Sequence, residues 1–172
     1  MPPFHVFRSA LRLALKALAA TLLLQAAARA ESQPLVPTYE TAEWQSGLLR
    51  FDQDGIDHVT ATVSYGADTG IVVYCTPQSV IALRVDPYYP KGGVTPSSQI
   101  RFVVKSGDTS IYDQTLSPFT FADNSYGGAI PKALAEAMKR GSSLSLSDPT
   151  IGLDQRYPLR GSSKALAGLT CI

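Results

Sequence analysis

The chain is poor in residues that do chemistry. Its 172 residues include two histidines, two cysteines, two methionines and one tryptophan. One histidine, His5, falls in the leader described below. The other, His58, has no second imidazole with which to share a metal, and a zinc site needs further soft or imidazole ligands. His58 alternates onto the polar face of its strand and reads as a surface residue. No serine stands in a nucleophile-elbow setting. No basic run is present, so the electrostatic footprint of a nucleic-acid binder, or of a protein held on anionic lipid, is missing. Internal repeats and low-complexity tracts are absent, and no apolar run is long enough to span a bilayer. The sequence therefore names no catalytic residue, no metal ligand set and no cofactor.

What is present begins with residues 1–30, which read as a signal peptide. Arg8, Arg12 and Lys16 lead, an apolar stretch runs from Ala17 to Ala28, and Ala28-Arg29-Ala30 supplies a small-x-small cleavage pattern. The expected product starts at Glu31 and is exported, to the periplasm or beyond, with no stable membrane insertion after processing. Processing changes the charge. Four of the fifteen basic residues leave and all fourteen acidic ones stay, so eleven against fourteen gives a net charge of −3. Residues 31–43, with Pro34 and Pro37, read as an extended lead-in, and 44–172 as one domain.

Both cysteines, Cys75 and Cys171, survive processing. An even count in an exported chain favours a disulfide. Closing a loop of roughly 100 residues stabilises by up to about 4.7 kcal/mol in the chain-entropy model. A reactive thiol at Cys75 is the competing reading, but little nearby could activate it.

From Trp44, itself read as core or staple, the chain turns β-rich. In DHVTATVSY, 57–65, Val59, Ala61, Val63 and Tyr65 alternate with His58, Thr60, Thr62 and Ser64, the pattern of a half-buried strand. IVVYC at 71–75 and VIALRVD at 80–86 predict a hairpin of apolar strands. IRFVVK at 100–105, TSIYDQTL at 109–116 and FTFAD at 119–123 continue the series, with SGD at 106–108 as a tight connection. IPKALAEAMKRG at 130–141 predicts a helix with Ile130, Ala133, Leu134, Ala137 and Met138 on one face and Gly141 as a left-handed stop. SSLSLSD and DQRYPLR read as strands, and GSSKALAGL as a turn of helix capped by Ser162 or Ser163. The expected fold is mainly β, an antiparallel sandwich or barrel with two short helices near the C-terminus.

DQDGID at 52–57 resembles a calcium loop in composition, but the twelfth position from Asp52 is Val63, not glutamate, and a polar turn explains the same residues. Two loops carry more interest. PYYPKGG holds Tyr88, Tyr89 and Lys91, and ADNSYGG holds Asp123 and Tyr126. Tyrosine offers large contact area at low entropic cost, and both loops are candidates for recognition.

The layout of Trp44, IVVYC, IALRVD, IRFVV, IPKALAEAMKRGSSLSLS and YPLRGSSKALAGLTC resembles the periplasmic accessory proteins associated with type VI secretion. In its last third it is also similar to the invasion-associated locus B proteins. The family usually shows a basic residue before the first cysteine, where this chain has Tyr74. The resemblance implies a periplasmic β-sandwich without known catalytic residues. Together these readings lead to the expectation of a non-enzymatic, protein-binding accessory module of the envelope or of a secretion or virulence process, whose partner is a protein or envelope component. The alternatives are an inhibitor of a lysozyme-like hydrolase and a small hydrolase using carboxylates that the fold assembles. Mass spectrometry of the exported chain should find Glu31 at the N-terminus. An intact Met1, or a start far from Glu31, would contradict the processing step.

Overall fold

A computed structural model describes residues 37–51, 55–66, 69–86, 98–122, 125–150 and 152–172. Residues 1–30, expected as a signal peptide, and residues 31–36 of the expected lead-in lie outside these, as do Asp52, Asp54, Tyr88, Tyr89, Lys91 and Asp123. Nine strands and two helices follow in order: β1 (Gln45–Arg50), β2 (Asp57–Tyr65), β3 (Thr69–Cys75), β4 (Ile81–Asp86), β5 (Ser98–Ser106), β6 (Thr109–Ala122), β7 (Ser125–Ala129), α1 (Lys132–Arg140), β8 (Ser143–Asp148), β9 (Leu153–Pro158) and α2 (Ser162–Leu166). The strands lie side by side as β1-β2-β3-β4-β7-β6-β5-β8-β9, every pair antiparallel. They form two sheets of sandwich type, not a closed barrel.

The long strand β6 makes two sheets out of one ladder. Its first part pairs with β5, and Thr120–Ala122 pair with β7. Between these parts the register slips, since Ile100 faces Leu116 while Ser98 faces Phe119. The additional residue falls at Ser117-Pro118, and a proline without an N–H suits a bulge of this kind. Just beyond it, Phe119 turns inward and lies 5.3 Å from Phe102 and 5.5 Å from Tyr126, ring centre to ring centre. Apolar residues from both sheets close around these rings: Ala61, Val63, Ile71, Val73, Leu83 and Val85 from one, Ile100, Val104, Leu144 and Leu146 from the other.

The C-terminal third seals this core. Helix α1 buries Leu134, Ala135, Ala137 and Met138, so Ala135 takes the place expected of the exposed Ala133. Ser162 does not cap its own helix. Its buried Oγ lies 2.7 Å from the Met138 carbonyl and 2.8 Å from that of Leu159, satisfying the end of α1, while Gly161 at φ +80° stands at the N-cap of α2. Gly141 is extended at φ −82°, not left-handed. It is required for another reason: a Cβ there would clash with Val104 Cγ1 and lie 2.9 Å from Leu159 Cδ1. The Cys75–Cys171 disulfide is formed, with 5.8 Å between Cα atoms, and closes the chain end onto β3.

Two further expectations are corrected by burial. Tyr126 is fully buried on β7 and belongs to the core, not to a recognition loop. The glycines of SYGGA suggest a loop, yet one of them lets the backbone fit: a Cβ on Gly127 would come within 3.0 Å of the Leu83 carbonyl. His58 is also buried rather than exposed, covered on the outer face of the sheet by Phe51 and Tyr74 at centroid distances of 5.2 and 5.4 Å. Tyr126→Ala should cost about 3–5 kcal/mol of unfolding free energy, as truncations of large buried rings do. Chemical denaturation measures this, and a loss under about 1 kcal/mol would contradict the core assignment.

Candidate functional site: the β1–β2 hairpin

The two faces of β2 change roles along its length. At its C-terminal half Ala61 and Val63 face the core, as alternation requires. Two residues before Ala61 on that same face Val59 is 48% exposed, and its cross-strand neighbour Leu48 on β1 is 73% exposed. The hairpin projects past the end of the core, so its inner face continues as an apolar stripe with nothing among the described residues to cover it. Leu49 at 37% and Ile56 at 48% add to the apolar character of the same hairpin. The turn is held by the Gly55 N–H bond to the Phe51 carbonyl (2.9 Å), with Gly55 at φ +65°. Arg50 and Asp57 clasp the strand ends, with the Arg50 Nε 2.8 Å from Asp57 Oδ1.

Behind the stripe the outer face is firmly anchored. Phe51 packs on Tyr74 at 4.7 Å and receives the Arg84 guanidinium over its ring at 5.3 Å. His58 Nδ1 is 3.4 Å from the Cys75 carbonyl, next to the disulfide. The hairpin is thus rigid at its root, and a buried aromatic cluster of this kind contributes packing that an exposed histidine could not.

Trp44 fixes where β1 starts. Its indole N–H donates to the Pro158 carbonyl (2.8 Å) and its backbone N–H to the Arg160 carbonyl (2.9 Å). Gly161 allows this approach, since a Cβ there would lie 3.0 Å from the Trp44 carbonyl oxygen. Helix α2 therefore packs beneath the start of the hairpin. Between them runs a groove of about 290 Å³ lined by Glu43, Trp44, Gln45, Ser46, Gly161, Lys164 and Ala165. It carries one anionic and one cationic side chain and opens beside β1.

The two ends of the ladder differ in protection. β9 carries exposed Asp154 and Arg156 and ends at Pro158, and the Tyr65 hydroxyl donates to the Arg156 carbonyl. Tyr65 also lies 6.0 Å from Tyr157 and 5.8 Å from Tyr39, and burial raises its hydroxyl pKa first, with Tyr39 adding to the rise. Charges, a proline and a spent carbonyl are the devices that blunt an edge. β1 has Gly47-Leu48-Leu49 at its centre and is paired on one side alone among the described residues.

Two carboxylates elsewhere hold local structure. Asp148 is buried and accepts from the Thr150 N–H and hydroxyl at the β8–β9 turn. Asp113 is held below the ordinary carboxylate range by its hydrogen bonds from Arg101. Among the described residues no three His, Cys, Asp or Glu side chains converge as metal ligands do. Of the residues expected at a site, Cys75 and Cys171 meet, Tyr126 lies in the core, and Tyr88, Tyr89, Lys91 and Asp123 fall outside the described residues. Leu48, Leu49 and Val59 were not anticipated. The adjacent leucines were the available signal, because a half-buried strand can hide just one of two neighbours. Compared with models of protein families, with characterised proteins and with solved structures, the chain matches none.

If the stripe lies outside the core, Leu48→Asp should change unfolding free energy by no more than about 0.5 kcal/mol. Ala61→Asp, on the same face but fully buried, should prevent stable folding by burying an unpaired charge. Urea titration of both variants checks the contrast, and equal damage would show that the hairpin is part of the core.

Proposed function

We propose that this chain is an exported, non-enzymatic module that works by contact with another polypeptide, in the periplasm or outside the cell, as an accessory of the envelope or of a secretion or virulence process. The observation that carries this reading is the β1–β2 hairpin: a strand edge unpaired among the described residues, whose central residues are exposed leucines, anchored to the core. An exposed apolar stripe of this kind marks protein contact surfaces, and a free edge offers main-chain groups to a partner strand. The leader supports export. The disulfide accords with an oxidising compartment, and among the described residues no helix is long and apolar enough to cross a membrane. The resemblance to secretion-associated accessory proteins supplies the cellular setting.

A photo-activatable phenylalanine analogue placed at Leu48 in living cells should give covalent protein adducts. The same probe at Ile111, exposed on β6, should give far fewer. Equal labelling from both positions, or none from either, would contradict the hairpin as the contact surface.

A further inference from the structure

The hairpin also specifies what fits it. In an antiparallel sheet, residues directly opposite each other point to the same face, and a slip by one residue sends every side chain to the other face. A second copy of β1 can therefore add to the first with inner faces aligned only in alternate registers. One of these centres on Leu48. There Leu48 faces Leu48 of the second copy, and each already has Val59 across the strand within its own chain. The result is an unbroken apolar row, Val59, Leu48, Leu48, Val59, running across both hairpins.

The opposite face agrees. In this register Leu49 of each copy faces Gly47 of the other, and the space that a Cβ on Gly47 would occupy is open to beyond 4 Å. A leucine can lie over that bare backbone. Ser46 meets Arg50 of the second copy on the inner side, so the Arg50–Asp57 pair of each copy lies across from a small polar residue of the other. The register centred on Gly47 is poorer, since it sets Leu48 against Ser46. One strand thus provides apolar contact on both faces and sets no like charges opposite each other when paired with itself, as a two-fold interface demands. The ladder helps as well. Among the described residues β9 is blunted and β1 is unpaired on its outer side, so pairing through β1 leaves no second open edge there from which a fibre could grow.

We infer that the chain forms a two-fold dimer by antiparallel pairing of β1 with β1 of a second copy, centred on Leu48. This rests on the reading of the hairpin as a contact surface and names its occupant. Sedimentation velocity on the processed, oxidised protein, purified after expression of the full chain, should show a concentration-dependent dimer. Leu48→Asp should weaken it by at least about thirtyfold, since the change acts twice at the interface centre, with melting unchanged at dilutions where both proteins are monomeric. Leu48→Cys should cross-link to itself under mild oxidation and Ile111→Cys should not. A monomer at every concentration, with the photo-probe at Leu48 capturing a different protein, would overturn the dimer and leave the contact surface standing. A monomer whose Leu48 probe captures nothing would overturn both. A dimer that survives Leu48→Asp, and that the Leu48→Cys variant fails to cross-link, would place the two-fold elsewhere and refute the inference.

Discussion

Burial of Trp44 against the turn between β9 and α2 is the contact from which the arrangement of the β1 edge follows. Its two hydrogen bonds, to the Pro158 and Arg160 carbonyls, join the beginning of the first strand to the end of the last. They set α2 beside the Gln45–Ser46 end of β1. Further along, the inner face runs on as Leu48 and Val59, which no helix among the described residues covers. The Cys75–Cys171 bond fixes the far end of the same segment to β3, so the support cannot drift away without breaking a covalent link. A long-range cross-link of this sort acts largely by restricting the unfolded chain, and here it also holds the platform from which the hairpin projects.

The molecule therefore divides into committed and uncommitted parts. The Phe102, Phe119 and Tyr126 rings, the tight fit at Gly141 and the shared hydroxyl of Ser162 tie sheets and helices together at positions where small changes are felt. The hairpin has a committed outer face, with His58 enclosed by Phe51 and Tyr74, and an uncommitted inner face. Edge strands with few buried contacts lie at the low end of local stability. Pairing with another strand would convert that weakness into contact area, which is the physical sense in which stability in the frame and function at the edge are separated.

Much of the frame was legible in sequence. Alternation in 57–65 and the apolar runs at 71–75 and 80–86 reflect the simple demand that one face of a sheet meet the core, and the apolar spacing of 130–141 does the same for α1. Alternation identifies faces but not where along a strand the core stops, so Val59 reads as buried and His58 as exposed when each is the reverse. Composition misleads at Ser125–Ala129, where glycines that usually mark a loop permit a crowded central strand. The join of 109–116 to 119–122 across Pro118 escapes because a bulge preserves the strand while breaking its pattern. Gly141 is recognisable as special, but for the wrong reason, since proximity of Val104 and Leu159 is a tertiary fact. The exposed edge itself could not be read before the strand order placed β1 at the end of the ladder.

Everything proposed for the hairpin requires that a single folded chain leave its β1 edge uncovered. Hydrogen exchange resolved by peptide, on dilute oxidised protein, addresses this without assuming any partner. The expected result is slow exchange across β3, β5 and β8 and markedly faster exchange across β1, with β1 gaining protection as the protein is concentrated. Protection of β1 equal to that of β3 in the dilute sample would mean that the edge is already covered within the chain, and would contradict the open edge.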